Sequence, residues 1–508
     1  MRLSQLVEKD NLIIENQPFD DKEILCVCYR IEDVVPGCLF ICLKRSRTNT
    51  HEMIPYILAH GAVAIMVEEE IALSADSTCT VIPVRSSRRA LAYAFSAFSY
   101  HPARKLKIYG ITGTNGKTSA SVFLDAIFRA AGYKTALIGT LGCYINGKAY
   151  KATNPEAQNR LTTMTTPDPD ILYPFLRELV DHQVTHVTME VSSHALALDK
   201  VAPICFEGAG FTNLSAEHQD FHQTMEAYKA AKRKLFGLAK CAAINTDDQT
   251  GASLAKEVSC PVLTCGIIWN AEIMASELEP MENGAYRFMI SDGNAKDFIT
   301  LKCAGQYQIY NALIAATIAK QAGITGKVIR DGIESVSEIP GRLELISTLQ
   351  DDIRVYIDFA HTEYSLRNLL LSVRKLLHGE ARLILVFGCG GDRDKSKRAP
   401  MGACAEALAD FSIITSDNAR TESPSTIISD ILCGYTSADS WKVIADRQKA
   451  IEYAIQIARA GDWVLIVGKG HESYEIRGTQ LFPFDERKII LDAIKQRNHA
   501  DTIREPLS

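Results

Sequence analysis

The chain has 508 residues, of which 47% are hydrophobic and 23% charged, and its formal net charge is −6. This composition is typical of a folded globular protein of about two to four domains and excludes a mainly disordered chain. The sequence has no long basic run, so neither nucleic acid nor a membrane surface is expected as a partner. The start, MRLSQLVEKDN, has no apolar leader, and no apolar run has membrane-spanning length, which predicts a cytoplasmic protein.

Short apolar runs characterise the first block, residues 1–104, which we expect to form a small α/β domain. ILCVC, CLFICL, AVAIMV and CTVIPV are predicted strands, and a helix is predicted near Met53–His60. The densest cysteine group has no CxxC pair or matching histidine spacing, so reduced core thiols are favoured and a metal site is the alternative. This group consists of Cys26, Cys28, Cys38 and Cys42.

Two further α/β domains are predicted, at residues 105–338 and 339–508. In the first, the strand-like runs IYGIT, TALIGT, THVTMEV and AAINT alternate with helical patterns, which indicates a mostly parallel sheet of the P-loop ATPase type. A turn signal at Ile339–Gly341 precedes the second. Its runs VYIDFA, RLILVFG, FSIITS and WVLIVG are typical of a Rossmann-like, doubly wound domain. The expected fold class is α/β with three domains.

A glycine-rich loop lies between the strand IYGIT and a predicted helix, Ser119–Ala131, with Gly132 as its expected C-cap. Backbone N–H groups and the helix dipole would face phosphates, Lys117 would reach the terminal phosphates, and Thr118 would ligate Mg²⁺. Ile111 replaces the first glycine of a strict Walker A motif. We predict ATP binding, with an ordinary strand-to-helix turn as the alternative. The loop consists of Gly113, Thr114, Asn115, Gly116, Lys117 and Thr118.

Six motifs, in this order, resemble those of the Mur ligases. They are TGTNGKT, MEVSSHAL, FTNLSAEHQDFHQTMEAYKAAK, PGRLE, FGCGGDRDKSKR and GKGHE. The resemblance covers nearly the whole chain. It implies an ATP-dependent, ADP-forming ligase of peptidoglycan synthesis, which activates a carboxylate as an acyl phosphate and joins it to an amino acid. Because a carboxylate must approach the γ-phosphate, this chemistry needs Mg²⁺ and fixed cations.

The resemblance implies a catalytic set of Lys117, Glu190, His218 and Lys232. In it, Thr118 and Glu190 hold one Mg²⁺ with the nucleotide, and His218 helps to hold a second. Lys232 matches the family's carbamylated lysine, and carbamylation turns an ammonium into an anion that can face Mg²⁺. From the residues alone, Lys232 and its basic neighbours are a solvated helix face, which is the alternative.

Four further residues are candidates for the nucleotide site. Asn311 is similar to the adenine-contacting asparagine of the family, with a helix N-cap as the alternative. Arg342 is similar to the arginine that contacts the phosphates after domain closure, with a surface arginine in a linker as the alternative. Asp358 and His361, which follow the run VYI, complete this set.

Four polar clusters follow the strand-like runs of the third block, and the carboxyl ends of parallel strands meet at one crevice. Arg393 and Arg420 suit a carboxylate, and Glu472 suits an ammonium, so the predicted ligand is an amino acid. Four unrelated polar loops are the alternative. The clusters are Asp358–His361, Gly388–Arg393, Ser416–Arg420 and Gly468–Glu472.

The segment Asp417–Arg420 reads DNAR and resembles the DNPR motif of Mur ligases that add meso-diaminopimelate, with Ala419 in place of proline. The resemblance therefore favours meso-diaminopimelate as the free amino acid. Asn418, Arg420, Gly468 and Glu472 would surround its distal end. L-lysine or another amino acid is the alternative.

The resemblance assigns the N-terminal domain to the UDP end of a UDP-activated muramoyl dipeptide, UDP-N-acetylmuramoyl-L-alanyl-D-glutamate. The family's Asp-Ser-Arg segment reads Cys28-Tyr29-Arg30, and Lys200 replaces an arginine, so a divergent ligase with another carboxylate acceptor is an alternative. A nucleotide-binding subunit without ligase activity is a third hypothesis. We expect a monomer. The acceptor-contacting candidates are Thr165, Thr166, Ser192 and Lys200.

Overall fold

The computed structural model of the chain describes residues 1–7, 19–44, 48–71, 77–281, 284–293, 295–348, 350–377 and 379–504. Within these ranges the strands form sheets of four, eleven and six strands and one two-stranded ribbon. The mixed α/β class predicted from the sequence is confirmed. No helix in the described part of the chain is long and apolar enough to cross a membrane.

The N-terminal sheet is parallel throughout and has the order β1-β2-β3-β4. All four strands and the first helix lie where the apolar runs predicted them. The structure has all fourteen cysteines as free thiols, and several pack in the core of this sheet. The elements are β1 (Cys26–Cys28), β2 (Cys38–Ile41), α1 (Ile54–Ala59), β3 (Ala64–Val67), β4 (Thr80–Pro83) and α2 (Ser87–Phe98).

The central sheet has a parallel middle with antiparallel strands at both edges, in the order β15-β14-β13-β12-β11-β10-β5-β9-β6-β7-β8. The sequence predicted the parallel strands in the middle of the sheet but not the antiparallel strands at its edges. The edge strands are short or have one exposed face, so they carry no continuous apolar run. The strands are β5 (Lys107–Thr112), β6 (Thr135–Gly139), β7 (Gly142–Ile145), β8 (Lys148–Ala149), β9 (His186–Glu190), β10 (Gly208–Phe211), β11 (Ala242–Asn245), β12 (Val262–Gly266), β13 (Ile273–Pro280), β14 (Tyr286–Ser291) and β15 (Lys296–Leu301).

The helix after the glycine-rich loop, α3 (Lys117–Ala130), begins two residues earlier than predicted because Gly116 is its N-cap. Gly132 follows the C-cap with φ +82°, as expected for a glycine that ends a helix. The central block also contains α4 (Pro155–Thr163), α5 (Pro169–Asp181), α6 (Ser193–Ala197), α7 (Gln219–His222), α8 (Met225–Arg233), α9 (Gln249–Glu257), α10 (Tyr307–Gln321) and α11 (Gly326–Glu334).

The C-terminal sheet has the order β16-β17-β21-β18-β19-β20, with β16 antiparallel to the rest. Helices cover both faces, because α12 to α14 pack in one core and α15 and α16 in another, which confirms the doubly wound prediction. The elements are β16 (Glu344–Leu345), β17 (Arg354–Asp358), α12 (Glu363–Arg374), β18 (Leu383–Phe387), α13 (Arg398–Leu408), β19 (Phe411–Ile414), α14 (Pro424–Leu432), β20 (Trp441–Val443), α15 (Arg447–Ile457), β21 (Trp463–Val467), β22 (Tyr474–Arg477), β23 (Gln480–Pro483) and α16 (Glu486–Arg504).

A close backbone contact joins the segment before β16 to the loop after β21. Gly341 has φ +66°, and a Cβ atom there would lie 2.4 Å from the backbone N of His471 and 2.6 Å from the carbonyl carbon of Gly470. A side chain at position 341 would therefore push the two segments apart. This contact therefore fixes the turn before β16 against the loop after β21, within the C-terminal block.

Candidate active site

The glycine-rich loop at the N-terminus of α3 packs closely against neighbouring side chains. A Cβ atom would lie 1.8 Å from Thr212 Oγ1 if placed on Gly113, and 2.1 Å from Asn311 Oδ1 if placed on Gly116. Both glycines are therefore needed for the loop's shape. Lys117 Nζ donates to the carbonyl oxygens of Gly113 at 3.0 Å and Thr114 at 2.7 Å. Loss of hydration lowers the pKa of Lys117, although nearby carboxylates oppose the shift.

The carboxylate at the end of β9 is fully buried beside this loop. Glu190 accepts hydrogen bonds from Thr118 Oγ1 at 3.0 Å, Thr140 N at 2.8 Å and Thr140 Oγ1 at 3.0 Å. Hydroxyl and carboxylate oxygens are the ligands that Mg²⁺ prefers. Thr118 and Glu190 thus lie together in an arrangement that a divalent cation could use.

Lys232 is buried, so the alternative of a solvated helix face is wrong for it. Its side chain comes from α8 and is 2% exposed, and its Nζ donates to Gly113 O at 2.7 Å and lies 4.5 Å from the ring centre of Tyr228. Burial, helped by the charge of Lys117, lowers the pKa of Lys232 well below its ordinary value. Lys229, one turn earlier, is paired with Glu257 at the surface instead.

His218 and its neighbour Glu217 lie in the turn before α7. Burial lowers the pKa of His218 to about 4, so its imidazole is neutral and can offer a lone pair. Glu217 lies 3.0 Å from His361 Nε2, within hydrogen-bonding distance, and 3.6 Å from His218 Nε2. Burial opposes ionisation of Glu217, but these histidines and Lys117 hold its pKa below the ordinary value. Glu217 is not among the site residues predicted from the sequence, because an acidic residue in a polar loop carries no periodic signal.

A cavity of about 470 Å³ adjoins the glycine-rich loop and is lined in part by Gly116, Asn311 and Asp358. Asn311 lies inside α10, whose N-cap is Gln306, so the N-cap alternative is wrong. Its Nδ2 donates to Gln308 Oε1 at 2.8 Å, and it is 4% exposed. The space beside this amide is where a base could lie next to the phosphate loop.

Arg342 reaches across from the C-terminal block to the loop. Its Nη2 donates to Thr118 Oγ1 at 3.0 Å, and its guanidinium lies 4.6 Å from the ring centre of Phe359, so the alternative of a surface arginine is wrong. Asp358 has both oxygens occupied, by the N–H groups of Leu343 and Ala360 at 2.7 Å each. Asp358 therefore shapes the segment that carries the arginine while also lining the cavity.

A larger cavity, of about 890 Å³, joins the phosphate loop to the C-terminal crevice. All four polar clusters contribute to its wall, so they face one space as expected and are not four unrelated loops. The wall combines cations, carboxylates and histidines from both blocks. Its members include Lys117, Thr118, Thr165, Glu190, His218, Arg342, His361, Arg393, Asn418, Arg420, Gly468 and Glu472.

The crevice end of this cavity carries groups of both charges. Asn418 Nδ2 donates to Glu472 Oε2 at 2.8 Å, and Arg420 Nη1 donates to Gly391 O at 2.9 Å. Burial, with the neighbouring charge of Arg393, lowers the pKa of Arg420, whereas burial raises the pKa of Glu472. A ligand with a carboxylate and an ammonium would relieve both shifts.

The acceptor-contacting candidates form a connected group beside β9. Thr166 Oγ1 donates to Glu190 O at 2.9 Å and accepts from Ser192 N at 3.0 Å, while the hydroxyls of Thr165 and Thr140 are 3.1 Å apart. Ser192 also caps α6.

A third cavity, of about 760 Å³, lies between the N-terminal and central blocks. Lys200 lines it and forms an ion pair with Asp168 at 2.7 Å. Arg30 and Arg160 line the same cavity, and Arg160 also pairs with Asp168 and contacts Tyr29. Arg160 is not among the site residues predicted from the sequence, because it lies in α4, outside the six family-like motifs.

Two family models match the chain, the Mur ligase middle domain over residues 111–319 and the Mur ligase, glutamate ligase domain over residues 341–470. The chain is 36% identical to the UDP-N-acetylmuramoyl-L-alanyl-D-glutamate--2,6-diaminopimelate ligase of Syntrophomonas wolfei, with 97% of this chain and 99% of that one covered. It is 39% identical to the ligase of the same name from Caldanaerobacter subterraneus, over 98% and 99%. The chain belongs to the Mur ligase family.

A solved structure agrees with this assignment over the full length of this Mur ligase. A UDP-N-acetylmuramoyl-L-alanyl-D-glutamate--2,6-diaminopimelate ligase superposes with a TM-score of 0.66 and 28% identity, covering 98% of this chain and 99% of that one. The resemblance drawn from the six motifs is thereby confirmed. With 98% of the chain covered, the superposition extends into the N-terminal block, where the sequence motifs of this Mur ligase departed most from the family pattern.

Proposed function

We propose that this Mur ligase uses ATP to add meso-diaminopimelate to UDP-N-acetylmuramoyl-L-alanyl-D-glutamate in peptidoglycan precursor synthesis. One observation carries the proposal. A single cavity connects the phosphate loop to a crevice lined by Arg393, Arg420 and Glu472, so a phosphate donor and a charged amino acid can meet in it. The names of the relatives support the same substrates.

The reaction has two steps that these residues can serve. The γ-phosphoryl group of ATP passes to the acceptor's carboxylate, giving an acyl phosphate and ADP. The amino group of the amino acid then attacks the carbonyl carbon, forming the amide and releasing phosphate and a proton. Lys117 and Arg342 offset the negative charge that gathers in the first step.

The residues present suit Mg²⁺ and a carbamylated lysine. Thr118 and Glu190 offer oxygens at one position, and the neutral His218 offers nitrogen at another, so two ions are expected. Mg²⁺ would neutralise phosphate charge. Lys232 is buried with a lowered pKa, so its amine is able to add CO₂, losing a proton and becoming an anion. In this proposal the catalytic set is Lys117, Glu190, His218 and Lys232.

The remaining site residues divide among three substrates and three domains. Asn311, Arg342, Asp358 and His361 would contact the nucleotide. Residues 1–104 would bind the UDP end, residues 105–338 ATP, and residues 339–508 the amino acid. Thr165, Thr166, Ser192 and Lys200 would contact the muramoyl dipeptide, and Arg393, Asn418, Arg420, Gly468 and Glu472 the amino acid.

Phosphate release tests the proposal directly. Purified protein is given UDP-N-acetylmuramoyl-L-alanyl-D-glutamate, ATP and Mg²⁺, with either meso-diaminopimelate or L-lysine. We expect release with diaminopimelate and little with lysine, which lacks the distal carboxylate that Arg420 would bind. Release with lysine alone would overturn the choice of amino acid. If folded protein that binds ATP releases no phosphate with either amino acid, the acceptor is a carboxylate other than the UDP-linked muramoyl dipeptide.

A further inference from the structure

A lysine lies behind the wall of the amino-acid crevice without lining it. Lys469 follows β21 and has no exposed surface. Its Nζ donates to Asn418 Oδ1 at 2.8 Å and to the carbonyl oxygen of Tyr474 at 2.9 Å, and it lies 3.3 Å from Asp417 Oδ1. An ammonium has three donors and no acceptor, so these three oxygens satisfy it completely.

These contacts determine the orientation of the Asn418 side chain. Its Oδ1 accepts from Lys469 and also from the backbone N–H of Ile476 at 3.0 Å. Two donors directed at one atom identify that atom as the oxygen of the amide. The Nδ2 group is consequently turned towards Glu472 and donates to its Oε2 at 2.8 Å. Of the two donors to Oδ1, only Lys469 is charged, and charge-assisted hydrogen bonds are the stronger kind.

The positive charge of Lys469 also acts to lower the pKa of two neighbouring carboxylates. Burial raises the pKa of Glu472, and the negative charge of Asp417 raises it further, while Asn418 and Lys469 act in the opposite direction. Burial opposes ionisation of Asp417 too, but Lys469 and Arg447 hold its pKa below the ordinary value. Without the positive charge of Lys469, the ionised form of Glu472 would be less favoured.

We propose that Lys469 is a positioning residue for amino-acid selection. It holds the Asn418 amide so that this amide fixes the Glu472 carboxylate as the acceptor for the distal ammonium of a diamino acid. The inference rests on the proposed function, because it takes the ligand of the crevice to be meso-diaminopimelate. Lys469 itself touches no substrate and acts only through Asn418 and Glu472.

The test compares Lys469→Met with the parent enzyme on two amino acids. Methionine is an unbranched side chain one heavy atom shorter than lysine, and it removes the charge and the donors. We expect the KM for meso-diaminopimelate to rise about 10-fold to 100-fold, with kcat and the KM for ATP changed by less than about 2-fold. For 2-aminopimelate, which lacks the distal amino group, the KM should rise less than about 3-fold, because Glu472 has no ammonium to bind. A merely structural defect would affect both amino acids equally.

The matched control is Lys449→Met, which changes an exposed lysine of α15 in the same domain and should match the parent on both amino acids. Thermal melting reports whether each variant is folded. If Lys469→Met does not fold, Asn418→Asp replaces it. The aspartate still offers Lys469 an oxygen but repels Glu472, so the same selective loss of diaminopimelate is expected.

Equal losses on the two amino acids, or an unchanged KM for diaminopimelate, would overturn the role of Lys469. Asn418→Ala combined with Lys469→Met adds a second criterion, because residues that act through one another give less than additive losses. Fully additive losses would also overturn it. Failure of the proposed function can be told apart from failure of the role of Lys469. In that case the parent enzyme itself would release no phosphate with diaminopimelate.

Discussion

The cations beside the phosphate loop and those of the N-terminal cavity have different partners. Lys117 donates to backbone carbonyl oxygens and Arg342 to a hydroxyl, and among the residues that the structure describes neither of the two forms an ion pair. In the N-terminal cavity, Lys200 pairs with Asp168 at 2.7 Å, and Arg160 pairs with Asp170 at 2.5 Å.

This difference indicates how each region meets an anionic substrate. Cations held by neutral oxygens keep their charge available for phosphates, which is the arrangement that electrostatic catalysis needs. Cations already paired with carboxylates contribute position and hydrogen bonds but little net charge.

Lys117→Ala should reduce phosphate release at least about 1,000-fold, because it removes a fixed charge at the point of phosphoryl transfer. The melting temperature should stay close to that of the parent, since the lysine contacts only carbonyl oxygens of its own loop. Lys148→Ala, at an exposed position of β8, is the control. Near-normal release by Lys117→Ala would show that the loop does not serve the phosphates.

Lys232→Ala should lose activity about 100-fold or more and regain part of it when a small carboxylic acid replaces the missing carbamate. The measurement is phosphate release with and without the added acid. Lys229→Ala, in the same helix, should stay active because that lysine only pairs with Glu257 at the surface. Full activity of Lys232→Ala without any acid would remove this lysine from the mechanism.

Arg420→Ala should raise the KM for the amino acid about 10-fold to 100-fold and leave the KM for ATP nearly unchanged. Its guanidinium lines the crevice end of the cavity, away from the nucleotide side. Arg459→Ala, at an exposed position of the same block, provides the comparison. An effect limited to ATP would contradict the assignment of the crevice to an amino acid.

Asp168→Asn should lower the KM for the UDP-linked acceptor about 2-fold to 5-fold, because Lys200 would then lose its carboxylate partner, whereas Arg160 keeps Asp170. Burial opposes ionisation of Asp168, but Lys200 and Arg160 lower its pKa. Its charge is therefore present at every pH above the ordinary value of 3.8 and is lost only as the pH falls through the lower folded value. Initial rates at pH 7 and at two salt concentrations measure the effect.

Asp181→Asn is the matched control for that change, since Asp181 pairs with Arg177 at the far end of α5. A raised or unchanged KM for the acceptor in Asp168→Asn would show that the ion pairs of this cavity stabilise the protein and do not bind the substrate.

Much of the site could be predicted because its residues are contiguous or lie at strand ends. The phosphate loop is one segment between a strand and a helix, and Glu190 ends a strand, so chain order put Lys117, Thr118 and Glu190 at strand ends, while the pairing of Thr118 with Glu190 came from the family resemblance. The clusters after the strands of the C-terminal sheet met at one crevice for the same topological reason.

Other features depend on contacts between distant residues, which no local pattern shows. Lys232 lies among basic residues and looked solvated; its burial follows from the packing of α8 against the phosphate loop, 119 positions away. The contact between Glu217 and His361 spans 144 positions. The pairing of Lys200 with Asp168 likewise depends on how the loop before α5 folds against the end of α6.

The backbone contact at Gly341 fixes where its neighbour Arg342 can reach. Any side chain at position 341 would collide with the Gly470–His471 segment, so the turn before β16 can lie against the loop after β21 only with glycine there. From this turn Arg342 donates to Thr118 Oγ1 at 3.0 Å. Gly341→Ala should therefore displace the guanidinium from the glycine-rich loop and lower the rate of phosphate release. A position without a side chain thus determines where a charged side chain acts.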